Sequence, residues 1–145
     1  MSRQLLALAT LSGALTLGGA ACGGGGESKE EKESEGAKVA CTGSAISDTG
    51  LPASFPDVQD ATLTKTSTAG PSKVVDGYFE GDVEEAHDAY TSAFQNAGYD
   101  ILFDEVEEHD SEVSYKGNGR TGQVALRDTC EQDGRVFVHI TNRPG

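Results

Sequence analysis

Asp82-Val83-Glu84-Glu85-Ala86-His87-Asp88-Ala89-Tyr90-Thr91-Ser92-Ala93-Phe94-Gln95-Asn96-Ala97-Gly98-Tyr99 decides how the rest of the chain is read. Val83, Ala86, Tyr90, Phe94 and Ala97 recur at helical spacing and make one apolar stripe, so residues 83–97 read as a helix. Asp82 stands at the N-cap with Glu85 three residues on, the pattern of a capping box. Glu84, Glu85 and Asp88 lie in the first turns, where they favour the positive end of the helix dipole. Gly98 supplies the stop, because a residue just past a helix often takes the left-handed conformation.

After Gly98 the hydrophobic period changes to two. Tyr99, Ile101 and Phe103 alternate with Asp100, Leu102 and Asp104, and Val113 and Tyr115 alternate with Ser114 and Lys116. Val124 and Leu126, then Val136, Val138 and Ile140, continue the alternation. Short polar turns separate these runs, among them Asp133-Gly134, which predicts an antiparallel meander. Upstream, residues 61–68 read as a Thr-rich edge strand, and 73–80 as a second strand beyond a Gly70-Pro71 turn. Residues 42–56, rich in Ser, Gly, Thr and Pro, read as an irregular arm. The expected fold is a two-layer α+β domain, one helix packed on an antiparallel sheet in the order ββαβββ(β).

The chain opens on Arg3, an apolar run over residues 5–17, and Gly18-Gly19-Ala20-Ala21 before Cys22. These are the parts of a secretory signal, and the apolar run is shorter than the roughly 20 residues a spanning helix needs. Gly23 to Gly26 and the charged tract from Glu27 to Gly36 follow, a composition with no apolar surface to bury and therefore that of a tether. A small-residue ramp into cysteine followed by a flexible linker resembles the signal peptide and lipobox of bacterial lipoproteins. The lipobox pattern has Leu three places before the cysteine, and here that place holds Gly19. The resemblance implies that Cys22 is the lipidated first residue of the mature chain; the alternative is plain secretion after cleavage near Ala20 or Ala21.

With Cys22 acylated, Cys41 and Cys130 remain as a pair in an oxidising compartment. Cys130 falls in phase with the inward residues Val124 and Leu126, and a bridge to Cys41 would pin the arm to the sheet. Residues 1–21 thus read as signal peptide, 22–38 as lipidated cysteine and linker, and 39–145 as a single extracytoplasmic domain. The layout also resembles small bacterial lipoproteins of unassigned function, through Phe55-Pro56, Ala97-Gly98-Tyr99 and the strand at 136–141. That resemblance implies an envelope location and no particular chemistry.

The formal charge is −13, and loss of Arg3 with the leader takes it to −14. This sign, with no basic stripe bearing interleaved aromatics, argues against nucleic acid. Membrane contact is expected through the anchor at Cys22 alone, since an acidic surface is repelled by anionic lipid.

Gly117-Asn118-Gly119-Arg120-Thr121-Gly122 matches G-x-G-x-x-G, but a strand pattern follows where a dinucleotide site needs a helix, so it reads as a glycine-rich hairpin. The acidic run 104–112 lacks the glycine and spacing of an EF-hand loop and reads as a solvated hairpin tip. His87, His109 and His139 have no zinc-site spacing and read as boundary or surface residues. There is no G-x-S-x-G elbow. The expected function is a non-enzymatic lipoprotein domain, without metal or cofactor, that binds an envelope protein or ligand. The solvent face of the sheet around Phe137, His139 and Thr141 is the first candidate contact surface. The rivals are an envelope hydrolase whose site is assembled from scattered residues, and a cation binder using the acidic hairpin.

Overall fold

A computed structural model describes residues 37–145. The expected signal segment, Cys22 and the expected tether up to Gly36 lie outside the described residues. The elements run β1 (Ala61–Ala69), β2 (Ser72–Glu80), α1 (Val83–Asn96), β3 (Asp100–Val106), β4 (Asp110–Gly117), β5 (Arg120–Arg127) and β6 (Arg135–Pro144). All six strands join one sheet in the order β1-β2-β6-β5-β4-β3, and every neighbouring pair is antiparallel. The last strand thus inserts between the two halves, β1-β2 on one side and β5-β4-β3 on the other.

This corrects the expected class. The domain is dominated by its six-stranded sheet, not balanced between a helical and a strand layer; the element order ββαββββ itself agrees with the expected ββαβββ(β), the optional fourth strand being present. The reason is one of dimensions. A 14-residue helix is about 21 Å long and about 10 Å wide, whereas six strands at about 4.8 Å spacing span about 24 Å between the outermost pair. One helix cannot roof such a sheet, and α1 packs chiefly over β3, β4 and β5. The irregular segment before β1 covers the remainder: Leu51, Phe55 and Val58 join the same core as Val75, Phe79, Val136, Val138 and Ile140.

The helix forms where its sequence dictates. Asp82 accepts from the Glu85 backbone N–H at 2.8 Å, and the Glu85 carboxylate accepts from the Asp82 N–H at 3.1 Å, closing the capping box. Under the helix, the Phe94 ring stacks on Tyr115 at 4.1 Å, with Phe55 and Tyr99 edge-on to Phe94 at 5.3 and 5.5 Å. The Tyr115 hydroxyl donates to the Thr141 carbonyl at 3.0 Å and accepts from Asn142 Nδ2 at 2.8 Å, which satisfies a phenol deep in the sheet. Burial raises the pKa of both Tyr115 and Tyr90 above the ordinary phenol value, so both stay neutral.

The G-x-G-x-x-G segment is the β4–β5 hairpin. Asn118 and Gly119 both have positive φ, 52° and 70°, as a two-residue type I′ turn requires, and Gly117 pairs with Arg120 across it. A Cβ at Gly122 would overlap the Thr141 carbonyl and the Tyr115 hydroxyl, so this glycine admits the Tyr115 ring.

Both outer strands depart from simple alternation: β1 shifts register between Leu63 and Lys65, and β3 between Ile101 and Phe103. Ile101 pairs with Tyr115 but Phe103 pairs with Ser114, so Leu102 is an extra residue in β3. A single-residue slip sends following side chains to the opposite face. Phe103, expected inward with Tyr99 and Ile101, therefore faces away from the helix, and Asp104 takes the helix side opposite Val113.

Candidate functional site

Cys41 and Cys130 are joined by a disulfide with Cα atoms 5.3 Å apart, closing a separation of 89 residues. Val39 forms a parallel bridge with Cys130, and the Cys41 N–H donates to the Gln132 side chain at 2.7 Å. Arg135 reinforces the junction: it donates to the Cys41 carbonyl at 2.7 Å, pairs with Glu80 at 2.7 Å, and lies 4.2 Å over the Tyr78 ring. The disulfide, Tyr78 and Phe137 make a small second apolar cluster on the face opposite the helix.

From that anchor the arm rounds the β1 edge. The Tyr78 hydroxyl donates to the Gly43 carbonyl at 3.2 Å on one face, and Leu51 and Phe55 pack into the main core on the other. Between them, the Ile46 N–H donates to the Leu63 carbonyl at 2.9 Å and the Thr66 hydroxyl donates to the Thr49 carbonyl at 2.8 Å. The arm therefore clasps the outer strand of the sheet.

Phe137, His139 and Thr141 share the face opposite the helix. Phe137 is half-buried against the disulfide, and His139 lies alongside it with ring centroids 6.5 Å apart. His139 Nδ1 sits 2.6 Å from the Asp76 carboxylate on β2, a contact that fixes the ring. Beside it, Gln123 donates to Glu112 at 2.9 Å, and Arg127 lies 3.6 Å from Asp110 and 3.8 Å from Glu112. The charged groups here are engaged mainly with one another.

The three histidines fall in different environments. His109 is exposed in the β3–β4 turn, 3.5 Å from Asp128. His87 is 8% exposed, more deeply placed than a boundary position, and its Nδ1 lies 2.7 Å from Ser111 Oγ, a side chain on β4 in a residue only 3% exposed. Its other nitrogen faces Asp104 at 4.0 Å. The sequence held the signal: Val83, His87, Tyr90 and Phe94 form a stripe at spacings of four, three and four. Ser, His and Asp thus meet, but the serine oxygen is covered by helix and sheet, and 4.0 Å is too long for a hydrogen bond to orient the imidazole. The contact satisfies a buried imidazole.

The acidic run divides between two strands and their turn, and Glu105, Glu107, Asp110 and Glu112 line a shallow recess beside Ser111. Among the described residues no three His, Cys, Asp or Glu side chains are grouped so as to hold a metal ion. A shallow groove between residues 56–60 and the helix is lined by Asp57, Gln59, Ala89, Ser92 and Asn96 among others. No helix of the described residues is long and apolar enough to cross a membrane.

The last feature concerns apolar groups. The large hydrophobic side chains exposed among the described residues are Leu102, Phe103 and Val106, at 60, 48 and 47%. All three lie on β3, an outer strand of the sheet whose ladder within the described residues is with β4 alone. Scattered single exposures are normal in soluble domains, whereas these three fall within five residues along one outer strand, Phe103 on the face away from the helix and Val106 on the helix side. Comparison with known protein families and with curated proteins gives no match for this chain.

Proposed function

We propose that the chain is an extracytoplasmic lipoprotein, held at the membrane through Cys22, whose folded domain is a non-enzymatic binding module. The observation that carries the binding role is the run of exposed apolar side chains Leu102, Phe103 and Val106 along an outer strand with one free edge, since exposed apolar groups beside an open sheet edge mark an interaction site. The Cys41–Cys130 disulfide suits an oxidising compartment outside the cytoplasm. Residues 23–36, glycine-rich and then charged, have the composition of a tether between Cys22 and the domain.

Two measurements test this reading. Cys22→Ala moves the protein from the membrane fraction to the soluble envelope or the medium; retention in the membrane contradicts anchoring at Cys22. Chemical crosslinking in intact cells followed by mass spectrometry yields a reproducible envelope partner; repeated recovery of the chain alone contradicts the binding role.

A further inference from the structure

We infer that β3 is a strand-addition site, and that the segment it takes is an extended strand reading apolar-basic-basic-apolar. The inference rests on the binding-module reading and specifies what that module receives. An outer strand presents a row of backbone N–H and C=O groups, and an extended segment can satisfy them by lengthening the sheet. Main-chain hydrogen bonds supply affinity in this mode, while side chains alternating on the two faces supply selectivity.

The face each β3 side chain takes follows from the bulge. Phe103 and Glu105 pair with Ser114 and Glu112 and face away from the helix; Asp104 and Val106 pair with Val113 and Ser111 on the helix side. Each face of the strand end thus offers one apolar and one acidic position, in the chain order Phe103, Asp104, Glu105, Val106. A strand laid beside it gains most with an apolar residue opposite Phe103, basic residues opposite Asp104 and Glu105, and an apolar residue opposite Val106. The pattern reads the same in both directions, so parallel and antiparallel addition make the same demand.

Charge selects the occupant. Residues 99–115 contain Asp100, Asp104, Glu105, Glu107, Glu108, Asp110 and Glu112 and no lysine or arginine. A second copy of this chain would set acidic side chains against acidic side chains across the new ladder, which is destabilising. The same field attracts a cationic segment and speeds its encounter. The bulge and the acids, which discourage self-pairing, therefore leave the edge open to a partner of opposite charge.

The test uses the full chain, isotope-labelled in detergent, with two synthetic peptides: Val-Lys-Lys-Val flanked by threonines, and its Val-Glu-Glu-Val counterpart. The basic peptide binds at least about tenfold more tightly, the preference shrinks as salt is raised, and amide shifts centre on residues 100–106. Glu105→Lys, an exposed change that leaves the fold intact, removes most of the preference. Phe103→Ser weakens binding about tenfold with the rest of the spectrum unchanged. Equal affinity for the two peptides, binding of neither, or shifts centred on Phe137 and His139 overturns the proposal. Self-association of the free chain through β3 overturns it as well. A cellular partner whose contacts map away from β3 removes strand addition and leaves the binding module standing. Peptide docking on β3 without any cellular partner supports the edge chemistry and removes the module reading.

Discussion

β1 and β3 bound the same sheet at opposite ends, and the chain finishes them in different ways. At β1 the irregular arm passes from one face to the other, donating from Ile46 to Leu63 and accepting at Thr49 from Thr66. Its start is held covalently by Cys41–Cys130. The exposed residues of β1 are Lys65, Thr66, Ser67, Thr68 and Ala69, with no large apolar side chain among them. At β3 there is no such cover among the described residues, and the strand instead carries Leu102, Phe103 and Val106 exposed among carboxylates. Both ends face the same hazard, an unpaired row of backbone groups that recruits other chains. Both carry a bulge, but β1 is closed by chain and disulfide, whereas β3 is guarded by its bulge and by charge alone, which exclude some strands and admit others.

The contrast can be broken from the middle outward. Phe94 is fully buried, stacks on Tyr115 under the β3 half, and touches Phe55 of the arm. Phe94→Ala should cost about 3–5 kcal/mol in chemical denaturation and loosen both ends together, because it removes the ring that joins them. A loss under about 1 kcal/mol would show that the two halves do not share this core. Replacing Cys41 and Cys130 together by alanine should cost about 2–4 kcal/mol, with faster amide exchange at Ile46 while β4 and β5 stay protected. Uniform loss of protection would mean that the arm is not a separate clasp. Leu102→Ser with Phe103→Ser should change stability by no more than about 0.5 kcal/mol, since both side chains are exposed. A large loss would mean that these side chains are structural and not a docking surface.

Much of this arrangement was legible in the sequence, and what was not has physical causes. The helix announced itself through Asp82, Glu85 and its stripe, because capping and periodicity are local properties. The strands announced themselves by alternation, as at Val136, Val138 and Ile140. The share of sheet was underestimated because the ladder continues through polar residues such as Asp110 and Asn142, where no apolar pattern marks it. The bulge at Leu102 was invisible: β3 reads as unbroken alternation, and only the pairing with β4 shows that Phe103 has changed face. The wrap of the arm was equally hidden, since hydrogen bonds from an irregular segment have no period. His87 was within reach, on a stripe with Val83, Tyr90 and Phe94 that its polarity argued against. Its partner Ser111 was not, because it arrives from a strand 24 residues away.

The two edges make opposite predictions in the cell. A photoreactive amino acid placed at Leu102 on β3 and, in a separate variant, at Thr68 on β1 reads them side by side. Illumination of intact cells should give a discrete adduct from position 102 and none from position 68, and the captured segment should carry basic residues between apolar ones. An adduct from position 68 alone, or captured peptide that is acidic or a second copy of this chain, would contradict the account of β3 as the open edge.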